Sequence, residues 1–207
     1  MTSKAYVPAP TDREVAWEPG PRTDRARKRL LEGAHEAFLS RGYGGARISD
    51  ITDAAAMSRA SFYVYFPSKQ DALLALGAES AAAARDRLRR LRAVPAAWTD
   101  DDLRQWLGLW FEQLDRFGAF DRLWVQEAPE ELKATGLAME RRHALSLGKE
   151  LERLRGWSAG DPRLLGVAFS ASVNGLWHHY RREPDLDGRD AVLDALVDTS
   201  KLFLGSR

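Results

Sequence analysis

Apolar residues recur at every third or fourth position along nearly all of the chain beyond residue 22, a spacing that commits it to α-helices packed on one another. Leu103, Trp106, Trp110, Leu114 and Phe117 step in this way down one stretch. Leu73, Leu76, Leu88 and Leu91 do so on a long helix beginning near Ser68, where Ser68 and Asp71 have the spacing of a capping box and Pro95 marks the stop. An earlier helix starts at Thr23 or Asp24, runs through Leu30, Leu31, Ala34 and Phe38, and halts at the glycine cluster of residues 41–45. Leu137, Ala144, Leu151 and Leu154 form a further stripe, bounded by Gly136 and by residues 156–162. Residues 164–180 are apolar on almost every side and residues 192–204 carry a broad apolar face, so both need partners on several sides. No strand-rich region stands out, and the expected fold class is all-α.

Composition removes many alternatives. Without cysteine, the chain has no disulfides, zinc fingers, thiolate catalysis or iron–sulfur ligation. A 44% hydrophobic share beside 29% charged residues is that of a globular chain of 207 residues, and no apolar run approaches the ~20 residues that cross a bilayer. No membrane partner is expected, and the cytoplasm is the default location. Residues 1–22, with Pro8, Pro10, Pro19 and Pro21 and no compact apolar stretch, read as a disordered arm. The net charge of +1 hides an uneven distribution: between Arg22 and Lys69, nine Lys or Arg face five Asp or Glu. Arg25, Arg27, Lys28 and Arg29 form a basic face that a merely solvated helix would show equally well, so charge alone does not decide a partner.

Residues 48–69 decide more. They hold two short helices around a tight turn: Ile48, Ile51 and Ala55 face inward on the first, Met57 plugs the corner, Ser58 caps the second, and Phe62 and Phe66 fall four apart on its inner side before Pro67 ends it. In a helix-turn-helix the second helix enters the major groove of double-stranded DNA while the first crosses the backbone. Arg59 is then the candidate for reading a base edge, because a guanidinium donates two parallel bonds to guanine, and Ala60 and Ser61 lie beside it. Tyr63 and Tyr65 place hydroxyls for phosphate oxygens, with ordinary packing an equal alternative for each. Lys69, at the start of the following helix, offers a further phosphate contact.

Ile51, Ala54, Ala55, Ser58, Phe62, Tyr63, Phe66, Pro67, Ser68 and Lys69 in this order and spacing, preceded by Phe38 and the Gly42-Tyr43 pair, resemble the TetR family of bacterial repressors over residues 24–76. The resemblance implies a DNA-binding head at residues 23–68 and a helical ligand-binding and dimerisation domain at residues 69–207. Three positions depart from the family pattern. Arg47 replaces the usual Thr, so it cannot cap its helix but is able to reach a phosphate. Ala56 stands at the turn position usually filled by Gly, where a left-handed backbone strains any other residue. Tyr65 replaces a common His and keeps a donor.

The same resemblance implies a homodimer through the last two long helices, with Gly175 allowing close approach at their crossing, a palindromic operator, and release from DNA by a hydrophobic small molecule. The chain has seven tryptophans, and the apolar rings and side chains of Trp106, Trp110, Phe111, Leu114, Phe120, Trp124, Met139, Phe169 and Trp177 are candidates to line its pocket, against the plainer reading of core packing. His143, Asn174 and His178 are the polar groups able to orient the ligand. No cofactor is expected. An enzyme reading built on the four histidines (His35, His143, His178 and His179) finds no His-Glu-x-x-His motif, and His178 and His179 point to different helix faces. A DNA-binding protein without small-molecule control is a second alternative.

Overall fold

The computed structural model describes residues 21–158, 160–183 and 188–205; residues 1–20, most of the expected arm, lie outside the described residues. Among the described residues there are eight α-helices and no strand. They are α1 (Pro21–Gly45), α2 (Ile48–Ala54), α3 (Arg59–Tyr65), α4 (Lys69–Ala93), α5 (Asp100–Glu127), α6 (Glu130–Arg155), α7 (Pro162–Tyr180) and α8 (Arg189–Leu204).

Each boundary has a local cause. Proline's fixed φ and missing N–H suit the first turn, so α1 opens at Pro21, ahead of the Thr23 or Asp24 start expected from capping. Near its end Gly42 sits at φ 71°, which bends the helix inside the glycine cluster; a β-carbon there would lie 2.6 Å from the Glu127 carboxylate. Ser68 caps α4 by accepting the Asp71 N–H, as the spacing predicts, and Thr99 and Asp102 form a reciprocal capping box on α5. Asp161 caps α7, whose first residue is Pro162. The stripe on α6 is shifted relative to the expectation: Gly136 lies within the helix, Leu137 is exposed, and the buried positions are Leu132, Ala144, Leu147, Gly148, Leu151 and Leu154.

The buried apolar residues form two clusters. One joins Leu30, Phe38, Ile51, Phe62, Phe66 and Leu73 to Phe120, Leu123 and Leu132, so the α1–α3 unit rests on the far end of α5 and the start of α6. The other gathers Leu88, Trp106, Trp110, Leu147, Leu151, Phe169, Val173 and Leu196 from α4 to α8. At the α6–α7 crossing the helices nearly touch: a β-carbon on Gly166 would lie 2.0 Å from the Ala144 carbonyl oxygen. No helix among the described residues is long and apolar enough to cross a membrane.

Candidate functional site

The α2–α3 unit is held from beneath and leaves one face open. At its start the Asp50 carboxylate accepts the Arg47 N–H at 2.8 Å and pairs with Arg41, so the acid three residues into α2 supplies the cap that Arg47 cannot. The Arg47 side chain is exposed, as a phosphate contact needs. At the corner, Met57 N–H bonds the Thr52 carbonyl at 2.9 Å and Ala56 takes φ 49°, the left-handed conformation expected of this position. Arg29 donates to the carbonyls of Ala55 at 2.7 Å and Ala56 at 3.4 Å. One member of the basic α1 face therefore braces the turn.

Ser58 caps α3 by accepting the Ser61 N–H at 3.0 Å, and Phe62 and Phe66 close the inner side. Residues four apart share a helix face. Arg59, Ala60, Tyr63 and Val64 accordingly point outward together, with Tyr63 51% exposed and Val64 75%. Val64 was missed in the sequence because valine reads as core; its methyls suit a thymine methyl. Tyr65 is half-buried against the head's core, where it packs.

Lys69 is placed otherwise than the sequence suggests. Its ammonium donates to the carbonyls of Tyr43 at 2.6 Å and Ala46 at 2.9 Å and sits over the Tyr43 ring, locking the α1–α2 turn to the start of α4. Desolvation lowers its pKa. The neighbouring helix start is occupied too, by Ser68 and the Asp71 carboxylate, so a phosphate would meet a negative charge there. A further tie joins head to body: Glu127, at the end of α5, accepts the Tyr43 N–H at 2.7 Å.

In the body, Trp106, Trp110, Phe111, Leu114, Phe169 and Trp177 are buried in one cluster and packed against each other, with Trp106 and Trp110 5.4 Å apart edge to face and Phe169 tilted on both. They form core in this conformation. Phe120 and Trp124 belong to the other cluster, beside the head. Met139 and His178 are half-buried, the latter edge-on to Trp177 and held below the usual histidine pKa mainly by desolvation. Asn174, half-buried on α7, keeps a buried Oδ1 without a hydrogen-bond partner. His143 is the one orienting candidate that engages a buried charge: its Nε2 lies 3.1 Å from Arg87.

Arg87 itself, with Gln113, was not legible in the sequence, since an arginine on a charged helix reads as solvated. A polar seam runs between the two apolar clusters: Ser80 donates to Asp121 at 2.8 Å, and Arg87 bonds Gln113 and His143 while lying 3.7 Å over the Trp110 ring. Burial pushes Asp121 up to about 6 and, with Arg87 adding to it, pushes His143 down to about 4. A cavity of about 410 Å³ opens elsewhere, where His35 of α1 meets Leu76 and Glu79 of α4 and Arg116 and Phe117 of α5. Glu32–His35 and Glu140–His143 both have Glu-x-x-His spacing, but on separate helices, and no group of three metal-ligating side chains forms among the described residues.

Residues 30–76, which contain the braced turn and its open face, match the profile of bacterial regulatory proteins of the tetR family. Over those residues the chain is similar to the DNA-binding head of the TetR family. Among curated relatives, the chain is 46% identical over 44 residues to the transcriptional repressor DhaR of Mycobacterium sp. (strain GP1), covering 21% of this chain and 22% of that one. It is 35% identical over 63 residues to the repressor AcnR of Corynebacterium glutamicum, 30% of this chain and 34% of that one. The matches thus span about a fifth to a third of those relatives. Solved structures share the fold over more of the chain. The TetR regulator PfmR of Thermus thermophilus gives a TM-score of 0.64 at 21% identity, covering 86% of this chain and 100% of that one. FadR of Bacillus subtilis, solved with stearoyl-CoA, gives 0.63 at 16% identity, covering 86% and 97%.

Proposed function

We propose that this chain is a homodimeric transcriptional repressor of the TetR family that binds a palindromic operator through α3 and is released by a largely hydrophobic small molecule held in residues 69–207. The observation that carries the reading is the outward set Arg59, Ala60, Tyr63 and Val64 on a helix whose other side is anchored by Phe62 and Phe66. Arg59 reads a base edge, Ser58 and Ser61 hold the helix start, and Arg47 and Tyr63 contact phosphates.

Two features support the dimer. On α7, Leu164, 69% exposed, and Val167 line up with exposed Ala168, Ala171 and Gly175, and α8 ends with Leu202 85% exposed. A stripe of this kind is what an isologous helix interface leaves bare in one protomer. The partnerless Asn174 oxygen lies on the same helix. The curated relatives named above are repressors, and FadR of Bacillus subtilis was solved with an acyl-CoA.

Selection of binding sites from random DNA at moderate salt, with wild type beside Arg59→Ala, tests the proposal. An inverted repeat lost or relaxed in the variant is the expected result, with about 1–3 kcal/mol per half-site at stake. Binding that is salt-sensitive but without any motif would refute it.

A further inference from the structure

The polar seam between the two apolar clusters contains a cation without a matching anion. Arg87 is 6% exposed, and its guanidinium meets a glutamine oxygen, a histidine nitrogen and the face of Trp110. Among the described residues it makes no ion pair with any carboxylate within 4.0 Å. The acid that does feel it, Asp121, is bonded to Ser80 instead. Burying a charge with only neutral partners costs several kcal/mol relative to water, whereas a well-packed apolar residue at the same place is often neutral or stabilising.

The helix that covers the seam is lightly buried over one stretch. From residue 133 to residue 142, α6 contributes no buried side chain and His143 is half-buried, while Leu132 before them joins one cluster and Leu147 beyond them joins the other. Displacing this half of α6 would cost the packing of Trp124 on Gly136 and the His143–Arg87 contact, but no fully buried side chain. Trp106 and Trp110 then stand beside the guanidinium, with the Trp106 N–H bonded to the Arg87 carbonyl at 3.0 Å. A guest entering here would find one cation, two neutral acceptors that are able to yield it, and an apolar wall.

We infer that the effector is an amphiphilic acid whose carboxylate pairs with Arg87 while its apolar body lies against Trp106 and Trp110. This rests on the effector reading proposed above and adds the ligand's charge. Entry between the clusters would move the α5 end that supports the head, since Phe120, Leu123 and the Glu127–Tyr43 bond lie on the same helix as Gln113.

The test uses matched acid and alcohol pairs on the full-length protein: 4-phenylbutyrate against 4-phenylbutan-1-ol, and decanoate against decan-1-ol. Binding is read by tryptophan fluorescence and operator release by DNA-binding titration. In the wild type each acid should bind about 10- to 100-fold tighter than its alcohol, the range that one charge-assisted pair supplies. Arg87→Gln should abolish this preference, Arg87→Lys retain part of it, and Arg85→Gln, an exposed neighbour on α4, retain all of it. If alcohols bind as tightly and release DNA equally well, the acid inference falls and the effector reading stands. If neither class binds the wild type or alters its DNA binding, both fall. The wild-type comparison holds even where Arg87→Gln fails to fold.

Discussion

Replacing Ala56 by glycine isolates the strain in the α2–α3 turn. Ala56 is exposed and lies at φ 49°, and its N–H is bonded to the Asp53 carbonyl at 3.0 Å, so the substitution removes only an exposed residue's methyl and keeps the backbone bond. A left-handed backbone costs an L-residue about 1–2 kcal/mol, and the extra freedom of glycine in the unfolded chain returns about 0.5–1 kcal/mol. Ala56→Gly should therefore stabilise the protein by about 0.5–1 kcal/mol. For chains of this size that raises the thermal midpoint by about 1–4 °C. Ala56→Val adds β-branching at the same φ and should shift the midpoint the opposite way by at least as much. Circular dichroism melts at one matched protein concentration read both, because association also moves the midpoint. Operator affinity should change less than about twofold in the glycine variant, since the turn's hydrogen bonds are kept. A glycine variant that melts at or below the wild-type temperature would refute the strain argument.

Opposed titrations in the seam contribute to the response to acid. His143 is held down to about 4 from 6.5, so the unfolded chain binds more protons between those values and stability rises with pH there. Asp121 is raised to about 6 from 3.8, so the native state binds more protons in that range and stability falls as pH rises. Each effect is worth about 3 kcal/mol at most. Urea unfolding from pH 4 to 6.5 should show a steeper rise with pH in Asp121→Asn and a flatter one in His143→Gln; an unchanged slope in both contradicts the assignment. Lys69→Met should destabilise the head by about 1–3 kcal/mol through the lost carbonyl bonds while leaving the salt dependence of DNA binding unchanged; a slope reduced by about one would instead mark Lys69 as a phosphate contact. Glu127→Ala should speed amide exchange at Tyr43 by about tenfold, measured by hydrogen exchange, and no change would mean that the head is not tied to α5 there.

The helical architecture was legible because local rules act within a few residues. The Ser58 and Ser68 caps, the Pro95 stop and the inward Phe62 and Phe66 follow from spacing and propensity alone. The left-handed turn at Ala56 was expected only through the family resemblance, which places a glycine at that position. Lys69, Arg29 and Arg87 were not legible. Each is a long, flexible cation whose role depends on what another helix brings within 3 Å or so. Lys69 finds carbonyls at the end of α1, Arg29 finds those of the turn, and Arg87 is enclosed by α5 and α6. Sequence by itself determined the elements, their order and the inward face of α3, because periodicity of apolar residues is a property of one helix. Only tertiary structure decided which charges are exposed and which are braces, and where a buried one lacks its counter-ion, because desolvation and pairing depend on side chains far apart in the chain.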